Sequence, residues 1–104
     1  MTSGLVVWPE ARADIREGRD FYEESRPGLG RKFLAAVRET LAAVVESPHR
    51  FPRIRGEVRR APLRQFPYGI FYLPADRTRA PIVLACFHAR RDPKVWQARL
   101  ITQR

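Results

Sequence analysis

The sequence contains a single cysteine, Cys86, in a chain of 104 residues. One thiol cannot form a disulfide within the chain and cannot supply a zinc site, so we expect neither a disulfide framework nor a metal ion or other cofactor. Cys86 lies in the apolar run "PIVLACF", which is typical of a buried free thiol.

Long hydrophobic runs are also absent. No apolar stretch approaches the roughly 18 residues of a membrane-spanning helix, and the opening segment "MTSGLVVWPEA" lacks the charged start and long apolar core of a signal peptide. We therefore expect a cytoplasmic protein with no membrane partner. Internal repeats and linker-like tracts are missing too, and 44% of the residues are hydrophobic, which predicts one packed domain over residues 1–104.

Acidic residues are scarce in the second half of the chain. Residues 1–47 contain seven basic and eight acidic residues, a net charge of −1, whereas residues 48–104 contain thirteen and three, a net charge of +10. Eighteen of the twenty basic residues are arginine, whose planar guanidinium group binds phosphate or carboxylate through paired hydrogen bonds. This asymmetry indicates an anionic partner, either a nucleic acid or an acidic protein.

The first half of the chain predicts a short strand and two helices. The segment "LVVW" is typical of a strand, and Pro9 suits the first turn of a helix that ends near Ser25. Apolar residues at helical spacing predict a second helix that begins near Leu29 and ends before "SPHRFP", where prolines would interrupt it. The two helices should form a hairpin.

The second half changes to the period of two that strands show. The segments "EVRRAPLRQF", "YGIFYL" and "PIVLACFH" predict three strands, and the last of them is apolar at both parities, so both of its faces should be covered. "DPKVWQARL" predicts a short helix or turn whose Trp96 covers the sheet end. The predicted class is α+β, with an N-terminal strand and helical hairpin packed on a three- to four-stranded antiparallel sheet.

The order of these elements, with "FPYGIFY" and "FHARRDPKVW", resembles the RelE/ParE superfamily of toxins from type II toxin–antitoxin systems. The likeness covers nearly the whole chain, from "VVWPEARADI" to "HARRDPKVWQARL". It implies a small basic toxin encoded beside a cognate antitoxin, usually an acidic or partly disordered polypeptide that wraps the toxin and folds on it. It also implies that toxin and antitoxin form higher-order assemblies.

The two branches of this superfamily differ in target. RelE-like toxins cleave messenger RNA in the ribosomal decoding site, whereas ParE-like toxins poison DNA gyrase by binding it. The RelE-like pattern has an arginine after the tyrosine of the third strand, but here Tyr68 is followed by Gly69. That pattern also has a C-terminal tyrosine, and its position is occupied here by Trp96, whose indole cannot act as a general acid or base at neutral pH. "HARRD" resembles the His-Gly-x-Arg-Asp region of ParE-like toxins, with alanine for the glycine, so a ParE-like gyrase toxin is favoured.

A metal-independent endoribonuclease is the alternative, because some relatives in that branch use a histidine and an arginine near the same place. His88 would then move the proton, while Arg64 and Arg90 would stabilise the crowded phosphate. The competing interpretation of His88, which we favour, is a strand-end histidine hydrogen-bonded to the backbone. A third hypothesis is a degenerate toxin that serves only to bind its antitoxin.

The density of arginine defines the predicted binding surface. Five arginines between positions 53 and 64 favour contact with RNA phosphates, an acidic antitoxin or gyrase over a merely solvated strand. If their strand lies beside the central strand, Arg60 and Arg64 should share one face. Tyr68 and Tyr72 should also share a face, Tyr72 in the core and Tyr68 either packed or stacked on bases. The predicted antitoxin- or target-binding residues are Arg53, Arg55, Arg59, Arg60, Arg64, Tyr68, Arg90 and Arg91.

Overall fold

A computed structural model of the protein describes residues 4–77 and 79–102. Within these ranges the chain forms five strands and three helices in one α+β fold, which confirms the predicted class. In chain order the elements are β1 (Val6–Val7), α1 (Pro9–Ser25), α2 (Leu29–Glu46), β2 (Arg53–Arg55), β3 (Val58–Pro62), β4 (Tyr68–Leu73), β5 (Ile82–His88) and α3 (Lys94–Thr102).

The sheet is larger than predicted and is mixed. It has five strands in the order β1-β5-β4-β3-β2 rather than three to four, and β1 runs parallel to β5, whereas the other pairs are antiparallel. The additional strand is β2, whose three residues are all exposed and so show no hydrophobic alternation. Gly56, with φ of 55°, lies in the tight turn that folds β2 back onto β3.

The two helices have the predicted bounds and pack closely. A Cβ atom at Gly18 of α1 would lie 2.5 Å from the end of the Phe33 ring, so only glycine permits this approach to α2. The second helix ends at Glu46, just before Pro48, as the proline pattern predicted. No helix in the described part of the chain is long and apolar enough to cross a membrane.

Both faces of the sheet are covered. The helical hairpin packs on the face that carries Ile70 and Tyr72, here named the hairpin face. Helix α3 packs on the opposite face, here named the α3 face, which carries Phe71 and Phe87 and is covered by Trp96. Trp96 is 1% exposed, and its ring centre lies 5.3 Å from that of Phe71. The predicted covering of the apolar strand on both sides is confirmed, whereas Trp96 covers the α3 face of the sheet rather than its end.

A buried ion pair completes the edge of β5 that β1 leaves unpaired. Strand β1 reaches only as far as Val83, and beyond it Asp14 of α1 accepts a hydrogen bond from the Cys86 N–H at 3.1 Å. Arg99 of α3 donates to the Leu84 carbonyl at 3.0 Å, and its two terminal nitrogens donate to Asp14 at 2.7 and 3.1 Å. Side chains therefore replace a missing strand and join α1, β5 and α3.

Substituting Asp14→Ala should destabilise the protein by about 3–5 kcal/mol, because the largely buried Arg99 side chain, 12% exposed, would lose its counter-charge. The matched control is Asp20→Ala, which removes an ion pair with Arg19. The Asp20 side chain is 63% exposed, whereas that of Asp14 is 5% exposed. That control should cost less than about 1 kcal/mol. Urea unfolding measures both variants, and equal losses would contradict the structural role of Asp14.

Candidate functional site

Of the three residues of the ribonuclease hypothesis, His88 and Arg90 are joined by a hydrogen bond, whereas Arg64 is paired with α2. His88 ends β5, its ring centre lies 5.4 Å from that of Tyr68, and its Nδ1 accepts a hydrogen bond from the Arg90 backbone N–H at 3.0 Å. This is the backbone-bonded arrangement that the structural interpretation of His88 predicted. Arg64 forms a 3.0 Å ion pair with Glu39 of α2. Among the described residues, no hydrogen bond or ion pair joins Arg64 to His88.

Tyr68 and Tyr72 share the hairpin face, as predicted, and both pack there. Tyr68 is half-buried and contacts the rings of Tyr22 and Phe33. Tyr72 is fully buried, and its hydroxyl donates to the Pro48 carbonyl at 2.7 Å. Burial raises the pKa of both phenols above the ordinary value of 10.0, so each stays protonated at neutral pH.

Arg59 is used inside the fold. Its Nη1 donates to the carbonyl oxygens of His49 and Phe51 at 3.1 and 2.6 Å, which fixes the proline-rich connection that precedes β2. Its pairing with Tyr72 across β3 and β4 places it on the hairpin face. Its contribution to a partner surface is therefore to hold β2 and its neighbouring arginines in place.

Arg91 is anchored but stays partly exposed. Its guanidinium carbon lies 3.9 Å from the centre of the Phe87 ring, and Nη1 is 3.6 Å from the Asp14 carboxylate. The side chain is still 39% exposed, so the guanidinium group is held at the surface rather than buried. Arg90, in the preceding position, is exposed in the turn after β5.

Arg60 occupies the α3 face above Gly69. A Cβ atom at Gly69 would lie 2.5 Å from Arg60 Nε, so the absence of a side chain there makes room for the guanidinium group. The guanidinium carbon is 5.8 Å from the centre of the Phe71 ring. The prediction that Arg60 and Arg64 share a face is wrong, because β3 ends at Pro62 and the chain turns toward α2 before it reaches Arg64.

The predicted binding residues thus lie on β2, on and after β3, at the start of β4 and after β5 instead of forming a single pocket. Arg53 and Arg55 are exposed on β2, the outermost strand, beside the exposed Ile54. Among residues 4–77 and 79–102, no group of three or more histidine, cysteine or acidic side chains could hold a metal ion. The sequence pattern could not reveal that the Arg60 guanidinium group packs over Gly69, because strand pairing alone brings the two residues together.

The fold and these contacts define a small basic α+β protein with exposed arginines on β2 and after β5. The chain belongs to the family of ParE toxins of type II toxin–antitoxin systems (parDE), whose family model matches residues 5–93. One chain of the structure of a chromosomal ParDE toxin–antitoxin system from P. aeruginosa has the same fold, with a TM-score of 0.60 and 19% sequence identity over 82% of this chain and 94% of that one. No curated protein matches the sequence significantly.

The Cys86 thiol gives a pH-dependent test of this fold. Burial, with a smaller contribution from Asp14, raises the pKa of Cys86 from 9.0 to about 12. As the pH rises above about 9, the thiol ionises in the unfolded chain while it stays protonated in the folded protein, so the free energy of unfolding should fall.

The stability difference between the wild type and Cys86→Ala isolates this contribution. Between about pH 8.5 and about pH 10.5, the wild type should lose roughly 2 kcal/mol relative to the variant. Tyrosine ionisation is common to both proteins and cancels in the difference. Urea unfolding across the pH series measures it, and parallel stability curves would show that the thiol is not buried as described.

Proposed function

We propose that this protein is the toxin of a type II toxin–antitoxin pair, that it arrests growth in the cytoplasm by binding DNA gyrase, and that a cognate antitoxin neutralises it. The observation that carries the proposal is the ParE family match over residues 5–93. Gyrase is the target that the resemblance to the ParE-like branch implies. Binding alone would suffice for growth arrest.

The contacts of the alternative catalytic residues support binding over RNA cleavage. Cleavage needs a base, an acid and cations gathered around one phosphate. His88 is bonded to the backbone and packed on Tyr68, whereas Arg64 is paired with a glutamate on α2. Trp96, at the position where the RelE-like pattern has a tyrosine, is buried against the sheet.

The distribution of charge supports an acidic antitoxin. The second half carries a net charge of +10, and its arginines include exposed ones on β2, after β3 and after β5, together with the half-buried Arg60 on β3. We assign the contacts with antitoxin or gyrase to these side chains, while Arg59 and Tyr68 support the surface from within. The contacting residues are Arg53, Arg55, Arg60, Arg64, Arg90 and Arg91.

Controlled induction without antitoxin tests the target. We expect growth arrest with chromosome breaks and intact transcripts, and His88→Ala should arrest growth as strongly as the wild type because the histidine has no chemical role. Purified protein should also inhibit supercoiling by purified gyrase. Co-expression of the product of a neighbouring antitoxin gene is the control and should restore growth.

Three results would contradict the proposal. New transcript ends that disappear in His88→Ala would make the protein a ribonuclease. Growth arrest with neither breaks nor gyrase inhibition would point to a different target. Growth without any defect on induction would make it a degenerate toxin that only binds its antitoxin.

A further inference from the structure

The Arg60 guanidinium group is held in place but has no acceptor in the described part of the chain. Its aliphatic stem crosses from β3 toward β4, and its head lies over Gly69 and beside the Phe71 ring. Within residues 4–77 and 79–102, no hydrogen bond or ion pair satisfies its side-chain nitrogens. A half-buried guanidinium fixed by packing has already lost much of its side-chain entropy, so it would bind an anion at low additional cost.

A second guanidinium group lies above the neighbouring strand. Gly69, beneath Arg60, is the cross-strand partner of Phe87, and Arg91 stacks on the Phe87 ring at 3.9 Å. Directly paired residues on antiparallel strands are only about 5 Å apart. Arg60 and Arg91 therefore place two guanidinium groups above adjacent positions of the same sheet, and Arg60 is half-buried while Arg91 is 39% exposed.

Further cations lie close to Arg91 in the chain. Arg90 and Lys94 flank it in sequence, and both are exposed. The nearby Asp92 already accepts a hydrogen bond from the Lys94 backbone N–H at 2.9 Å. The surface therefore carries an excess of positive charge.

We propose that the α3 face, centred on Arg60 and Arg91, binds the phosphodiester backbone of duplex DNA. Strand β4 pairs with β3 on one side and with β5 on the other, so the backbone groups of these strands are mostly used within the sheet. A molecule that binds to the face of the sheet would therefore meet cationic side chains and few free backbone groups. A phosphate backbone needs only such donors, whereas an acidic polypeptide would gain additional backbone hydrogen bonds at the open edge of β2. The choice of duplex DNA rests on the proposed gyrase target, because gyrase holds duplex DNA.

Gly69 provides a test that leaves the net charge unchanged. Gly69→Ala would place a Cβ atom 2.5 Å from Arg60 Nε and 2.7 Å from its guanidinium carbon, so the head group must move. Pure long-range attraction between a basic protein and DNA would not change in this variant. A site that depends on the position of Arg60 would weaken.

The experiment measures the affinity of the purified full chain for a fluorescent duplex over a series of salt concentrations, without gyrase. Arg60→Gln and Arg91→Gln should each weaken binding by roughly ten-fold and lower the slope of log affinity against log salt by about 1. Gly69→Ala should weaken binding at an unchanged net charge. The matched control is Arg38→Gln, at an exposed position of α2, which should keep the wild-type slope.

Thermal melts accompany every variant, because Arg91 also faces Asp14 and its substitution could lower stability. If Arg91→Gln folds poorly, the single variants Arg60→Gln and Gly69→Ala still test the proposal. Two outcomes would overturn the proposal. One is that the slope of log affinity against log salt is the same for Arg60→Gln and Arg38→Gln. The other is that the variants lose affinity for polyglutamate or for an RNA duplex while their affinity for DNA is unchanged. Because gyrase is absent, failure here leaves the proposed target untouched. Failure to inhibit gyrase would likewise leave the DNA measurement valid.

Discussion

The ion pair between Asp14 and Arg99 takes the place of a strand at the edge of β5. Because β1 has only two residues, the Leu84 carbonyl and the Cys86 N–H would otherwise be left buried and without partners, at a cost of about 1–3 kcal/mol each. Asp14 satisfies the N–H and Arg99 the carbonyl, and each neutralises the other. A helix at each end of the chain is thereby fixed to the same strand.

This pair also determines where the surface cations lie. By anchoring α3, Arg99 holds Trp96 over Phe71, and its own guanidinium carbon lies 5.0 Å from the centre of the Phe87 ring. Arg91 stacks on that ring too and faces the same carboxylate. The position of a surface arginine therefore depends on a buried aspartate in the first helix, so a substitution at Asp14 would also change the position of Arg91.

Local patterns predicted the elements well and the long-range roles poorly. Proline and helical spacing gave the bounds Pro9–Ser25 and Leu29–Glu46, and the aromatic run gave Tyr68–Leu73. Strand β2 lacks any such pattern because all of its residues are exposed. Asp14 looked like an ordinary acidic residue near a helix start, since its partners lie 72 and 85 positions away in the chain.

Position 69 illustrates why a residue-by-residue comparison with a family pattern can mislead. Glycine there means the loss of the arginine that the RelE-like pattern has, yet the guanidinium group of Arg60 lies directly over this glycine from the neighbouring strand. The cation is kept, whereas no tyrosine stands at position 96 to supply an acid or base. A surface that keeps its cations without a complete proton-transfer set can hold an anionic partner but is poorly equipped to cleave one. The glycine is thus better understood as the space that accommodates the Arg60 guanidinium group than as a missing catalytic residue.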